Sequence, residues 1–173
     1  METSITETFK KIYGEYSDSI FRFCLSRVSA REQALDLTQE TFLRLWQTLL
    51  EEKPIKNQRA FLFTVAHRLI IDWYRKKKSY SLDKMMGEEN SFFDPPDEKS
   101  TRQVELGAEG RYILEKINSL SDSNRDALYL RFVEDLSPEE IGKILGISAN
   151  AASVRINRGL EELRKLMGYN SKK

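Results

Sequence analysis

One cysteine and one histidine in 173 residues remove two classes of function at the outset. A lone Cys24 cannot close an internal disulfide, which fits a reducing compartment. It lies in an apolar helical stripe, so burial as a structural residue is the expectation. Around His67 there is no carboxylate cluster or thiol set that would complete a metal site or a catalytic constellation. No cofactor is therefore implied, and an enzyme is not expected. Long apolar runs are missing too: none approaches the ~20 residues that span a bilayer, so no membrane insertion is expected. The opening residues, METSITETFKK, lack the basic-then-apolar layout of a secretory signal, and a cytoplasmic location follows as the expectation. Nowhere does alternation of period two run long enough to argue a strand.

Net charge is almost absent, a formal +1 at pH 7, but its distribution is uneven. Residues 53–78 hold eight Lys or Arg against one acid, Asp72. Residues 79–109 hold eight acids against three bases, and residues 153–173 six bases against two acids. Two basic segments flank an acidic one, an arrangement suited to touching a polyanion at two places.

What is present is helical periodicity. Phe9, Ile12, Tyr13, Tyr16, Ile20, Phe23 and Cys24 recur at three- and four-residue intervals, as do Leu35, Thr38, Phe42, Leu45 and Leu49. Pro54 then ends any helix, and residues 53–59 read as a short polar loop. A third helix is predicted from about residue 60 to 78, with Leu62, Val65, Ala66, Leu69 and Trp73 on one side. The segment "SLDKMMGEENSFFDPPDEKS" has Gly87, Pro95 and Pro96 and little periodicity, the signature of a linker. Within it Phe92 and Phe93 read as a local patch that docks on a neighbour. Four more helices follow, the first over residues 104–118, the second capped by Ser121 and ending before a turn at Glu134 and Asp135.

The last two helices carry the sharpest motif. Ser137, Pro138 and Glu140 form a capping-box start, Ile141, Ile144 and Leu145 give an inner face, and Gly146 stops the helix. Ser148 caps a final helix to about residue 167, with Val154, Ile156, Leu160, Leu163 and Leu166 among its apolar positions. Gly142 and Gly146 supply the close crossing and the positive φ of a helix-turn-helix. The second helix of such a motif lies in a DNA major groove, where arginine suits guanine and asparagine suits adenine. The outward candidates are Ala149, Asn150, Ser153, Arg155, Asn157 and Arg158.

The other basic segment, "RAFLFTVAHRLIIDWYRKKK", interleaves aromatics with cations. Two readings stay open: stacking of Trp73 and Tyr74 on unpaired bases, or core aromatics followed by a basic helix end.

Together these features resemble the extracytoplasmic-function, or group IV, RNA polymerase sigma factors over nearly the whole chain. "DLTQETFLRLW" resembles the segment of region two that docks on the polymerase clamp. "RAFLFTVAHRLIIDWYRKKK" resembles the helix that recognises and melts the minus-ten element. "DALYLRFVEDLSPEEIGKILGIS" with "SVRINRG" resembles region four, which reads the minus-thirty-five element. The resemblance implies an all-α chain of two small helical domains, residues 1–80 and 104–173, joined by a flexible acidic linker over 81–103. It implies that Leu35, Asp36, Gln39, Glu40 and Leu43 bind the β′ clamp helices of core RNA polymerase. It implies a pocket for a flipped minus-ten base from Lys56, Asn57 and Arg59, with Arg68, Arg75 and Lys76 following the strand. Asn150, Ser153, Arg155, Asn157 and Arg158 would contact the minus-thirty-five duplex. The implied partners are core polymerase (β′ clamp helices and β flap), promoter DNA and an anti-sigma factor. The chain departs from the family pattern at His67 and Arg68, at Ala151 and Ala152, and in the loop "EEKPIKNQ", positions that bear on which promoter is read. The rival class is a one-component helix-turn-helix regulator, which leaves Asp36, Gln39 and Glu40 without a role.

Overall fold

Apolar residues at helical spacing fold the first part of the chain into three helices that all pack on one another. The structure, a computed structural model, describes residues 2–28, 30–85 and 108–169. The helices are α1 (Glu2–Val28), α2 (Arg31–Leu50) and α3 (Gln58–Met85). Most of the predicted stripes turn inward: Ile12, Ile20 and Phe23 of α1, Leu45 of α2 and Leu62 of α3 are fully buried, joined by Phe63 and Ile70 outside the predicted stripe, whereas Tyr13 and Leu35 are exposed. Phe23 and Phe63 meet edge to face, ring centroids 5.4 Å apart, at the centre of this core. Thr38 and Thr41 are also buried, and each hydroxyl donates to the carbonyl one turn back, Ala34 and Leu37, at 2.7 Å. The polar groups are thus satisfied without leaving their helix.

The third helix runs past residue 78, where it was expected to stop, to Met85. The added turns, "SYSLDKM", are polar and carry no apolar stripe. They contain no breaker, however, and the first one met is Gly87, so helix propensity carries the backbone on. At the other end, Gln58 and Arg59 belong to the first turn of α3 and not to the preceding loop. Asn57 starts the helix, its side-chain oxygen accepting from the Ala60 N–H at 2.9 Å.

The chain divides into two units, Met1–Ser100 and Thr101–Lys173. The second holds α4 (Ala108–Asn118), α5 (Asp122–Phe132), α6 (Pro138–Leu145) and α7 (Ala149–Leu166). The start expected near residue 104, and Phe92 and Phe93, lie outside the described residues. Leu128, Leu130, Leu136, Ile141, Ile144 and Ala152 build the core of this unit. Asp135, at φ 50°, makes the predicted turn between α5 and α6.

Candidate nucleic-acid and docking interfaces

The helix-turn-helix is built as its sequence dictates. The Ser137 hydroxyl accepts from the Glu140 N–H, and the Glu140 carboxylate accepts from the Ser137 N–H at 2.9 Å, closing the capping box. Pro138 occupies the first turn, where its missing N–H costs nothing. Gly146 ends α6 in the left-handed conformation at φ 68°. A β-carbon on Gly142 would lie 2.7 Å from the Ile147 carbonyl oxygen, so hydrogen is needed for α7 to begin where it does. Ser148 caps α7, its hydroxyl accepting from the Ala151 N–H at 3.1 Å.

On α7, Ala152, Ile156 and Gly159 are buried and form the holding face. Asn150, Asn157 and Arg158 are exposed on the opposite face, as expected, while Ser153 and Arg155 are half-buried at its flanks. The Ser153 hydroxyl donates to the Ala149 carbonyl at 3.1 Å. Val154 does not join the inner face; it is 40% exposed, among the polar residues.

Ser121 is the N-cap residue of α5 by position, yet its side chain makes no cap to its own helix. Instead Glu162 of α7 reaches across. Its carboxylate accepts from the Ser121 N–H (3.2 Å), the Ser121 hydroxyl (3.4 Å) and the Asn124 amide (2.9 Å). The Asn124 bond is the main cause that holds the Glu162 carboxyl below its ordinary value; the Ser121 bonds act in the same direction and burial opposes them. A Gly159 β-carbon would lie 2.8 Å from Leu128 Cγ, one turn before this tether. Together they fix α7 against α5. Sequence reasoning missed both, because each contact joins residues remote in the chain.

In the first unit, Leu35 (39% exposed), Asp36, Gln39 and Leu43 (49% exposed) form one stripe on the outer face of α2, with half-buried Glu40 at its edge. The buried residues Ala34, Leu37, Thr38, Thr41, Phe42 and Leu45 take the other face. The stripe borders an open apolar groove between α1 and α2. Phe9, Tyr13, Phe42 and Trp46 line it beside Gln39 and Leu43. The rings brace one another edge to face, Tyr13 to Phe42 at 4.8 Å and Phe9 to Trp46 at 5.2 Å between centroids. The groove went unforeseen; its signal was two pairs of aromatics one turn apart, Phe9 with Tyr13 and Phe42 with Trp46.

Lys56 and Asn57 are exposed ahead of α3, and Arg59 is half-buried in its first turn. Arg68, Arg75 and Lys76 are all exposed along one face of α3. Asp72 stands among them and pairs with Arg75 at 3.6 Å. The contacts of Trp73 and Tyr74 bear on the two readings left open by the sequence. The Trp73 indole N–H donates to Gln33 of α2 at 2.9 Å, and the Tyr74 hydroxyl donates to the Arg27 carbonyl of α1. Their rings pack on each other at 4.9 Å, and Lys77 lies over the Trp73 face at 5.1 Å. Both are half-buried and tie α3 to α2 and α1, which supports the core-aromatic reading. A groove between α2 and α3 brings Asp36 and Glu40 to the same place as Arg75 and Lys76, joining residues of two separately expected surfaces.

Burial pushes the Cys24 thiol up to about 12, against a weaker opposing hydrogen bond with Thr38. At neutral pH it is an unreactive core residue. Among the described residues, no helix is long and apolar enough to cross a membrane.

Two family models match the chain. The family model for sigma-70 region 2 matches residues 12–80, and that for sigma-70 region 4 matches residues 110–163. The ECF RNA polymerase sigma factor SigM of Bacillus subtilis (strain 168) is 32% identical over 162 residues, covering 92% of this chain and 94% of the relative. SigW of the same organism is 31% identical over 168 residues, covering 92% and 88%. Among solved structures, the sigma factor RpoE in complex with the anti-sigma factor NepR from Bartonella quintana shares the fold. It has a TM-score of 0.73 at 21% identity, covering 95% of this chain and 99% of that one. CnrH in complex with the cytosolic domain of CnrY gives a TM-score of 0.67 at 20% identity, covering 96% and 91%. The chain, with its region 2 bundle and its region 4 helix-turn-helix, belongs to the ECF-type RNA polymerase sigma factors and directs promoter-specific initiation of transcription.

Proposed function

We propose that the two units divide the work of initiation in a defined way. The α2 stripe of Leu35, Asp36, Gln39, Glu40 and Leu43 docks on the β′ clamp helices of core polymerase, with the neighbouring aromatic groove taking an apolar side chain of the partner. Lys56, Asn57 and Arg59 surround a flipped base of the minus-ten element, and Arg68, Arg75 and Lys76 follow the opened strand. Flipping costs a few kcal/mol, which these contacts offset. Asn150, Ser153, Arg155, Asn157 and Arg158 contact the minus-thirty-five duplex, and the second unit meets the β flap. The observation that carries this reading is the placement of the α2 stripe: five residues of mixed acid, amide and leucine character share one outer face while the opposite face fills the core.

Two relatives of this fold are seen in complex with NepR and CnrY, the first described as an anti-sigma factor. A protein of that kind covering these surfaces is the natural restraint on this chain, and the cytoplasm is the compartment where it meets polymerase.

The test is transcription in vitro with core bacterial RNA polymerase, this protein and a library of random promoters. Initiation from a shared two-part motif, lost in an Asp36→Ala Gln39→Ala variant that still folds, is the expected result. Silence with no polymerase bound would sink the assignment of the α2 stripe.

A further inference from the structure

The exposed face of α7 carries an apolar side chain at its centre. Val154 is 40% exposed, one turn after Asn150 and one turn before Arg158, at the centre of the face opposite buried Ala152, Ile156 and Gly159. The fold gives no reason for it. A β-branched side chain at an exposed helical position lowers helix propensity relative to alanine or a straight-chain polar residue. It also presents apolar surface to water. Its neighbour Ser153, the other short side chain there, is bonded to its own helix through the Ala149 carbonyl.

A major groove offers hydrogen-bond donors, acceptors and one apolar group, the thymine C5-methyl. Valine has no donor or acceptor, so that methyl is the only feature of a base edge it complements. We infer that Val154 is a specificity-determining residue that reads the C5-methyl of one thymine in the upstream promoter element. Asn150, Asn157 and Arg158 around it take the hydrogen-bonding edges and phosphates of adjoining positions. The inference rests on the reading of α7 as the groove helix and adds to it a base identity and a chemical reason.

Deoxyuridine keeps every hydrogen-bonding group of thymidine and lacks only the methyl, which makes the test direct. Holoenzyme formed from core polymerase and the full chain is given a promoter drawn from the random library. Each thymine of the upstream element, on either strand, is replaced by deoxyuridine one at a time. At one position wild-type holoenzyme should bind about fourfold more weakly, the loss equivalent to one methyl-sized apolar contact. With Val154→Ala, whose single methyl withdraws most of that contact, the same replacement should cost clearly less. Val154 faces away from the core, so this variant folds, and polymerase binding serves as the control.

Three results would overturn the inference: a deoxyuridine penalty undiminished in Val154→Ala, no penalty at any thymine, or a selected element with no thymine. If whole-base changes in the upstream element still matter in these cases, α7 reads DNA and only the methyl contact fails. If no upstream base change matters, the groove-helix reading fails with it.

Discussion

A β-carbon on Gly142 would meet backbone on three sides: the Ile147 oxygen at 2.7 Å, and the Ala149 nitrogen and Ser148 carbonyl carbon at 3.2 Å each. Backbone at the start of α7 cannot turn aside as a side chain can, so the crossing itself must open. Gly142→Ala is expected to destabilise the second unit by about 1–3 kcal/mol, the usual cost of overpacking, despite alanine's better helix propensity. Denaturant unfolding followed by circular dichroism measures it; an unchanged or raised midpoint would contradict the geometry. Gly159→Ala should cost less, because the nearest atoms belong to the Leu128 side chain, which can rotate. The role of Gly142 was legible in the sequence, since a small residue four places before a turn glycine is a local pattern. That of Gly159 was not, because Leu128 and Asn124 lie far away along the chain.

At the scale of elements, the helix starts that depend on neighbouring residues were readable and those that depend on distant ones were not. The Ser137 capping box and the Gly146 stop are written within four residues of where they act. The N-terminus of α5 falls where Ser121 marked it, but the expected side-chain cap is absent, and Ser121 bonds instead to Glu162 of α7. The same tether has a pH signature. A glutamate whose carboxyl is held low in the folded chain adds stability that is complete above its unfolded value, near 4.5, and lost as pH falls through the lower folded value. Stability of the second unit should therefore fall on acidification through the carboxylate range. Denaturant midpoints measured along that titration should show a shallower acid decline for Glu162→Gln. Equal slopes would mean that the three hydrogen bonds contribute no net stabilisation. The length of α3 was underestimated for a related reason: apolar periodicity marks where a helix packs, whereas its end is set by the next breaker.

For the whole molecule, charge was more informative than fold class. A net charge near zero conceals two basic segments, and these fall in different units, on α3 and on α7. Each unit has its own buried core, Phe23, Phe63 and Leu45 in one and Leu128, Leu130 and Ile141 in the other. Chains cut between residues 100 and 101 should accordingly yield two helical fragments that each melt cooperatively. The first should retain core polymerase and the second should not restore promoter-specific initiation when simply added back, because untethered contacts lose their effective concentration. Circular dichroism, polymerase pull-down and runoff transcription test the three parts. Full activity from the unlinked pair would show that the tether contributes nothing. The two-part division was visible in composition. The aromatic groove of the first unit was not, since it forms only when α1 and α2 lie side by side.

On the reading proposed for α7, its holding face and the centre of its DNA-facing side share no residue: Ala152, Ile156, Gly159 and Glu162 fasten the helix, Asn150, Val154, Asn157 and Arg158 point away, and Ser153 and Arg155 are half-buried between them. Variation at the outward positions is thus unconstrained by folding. A genome can duplicate such a chain and let its copies diverge in the letters they recognise, each step leaving a working scaffold. The same partition makes the helix a cassette for laboratory rewiring, in which orthogonal promoters are assigned by exchanging a few solvent-facing side chains.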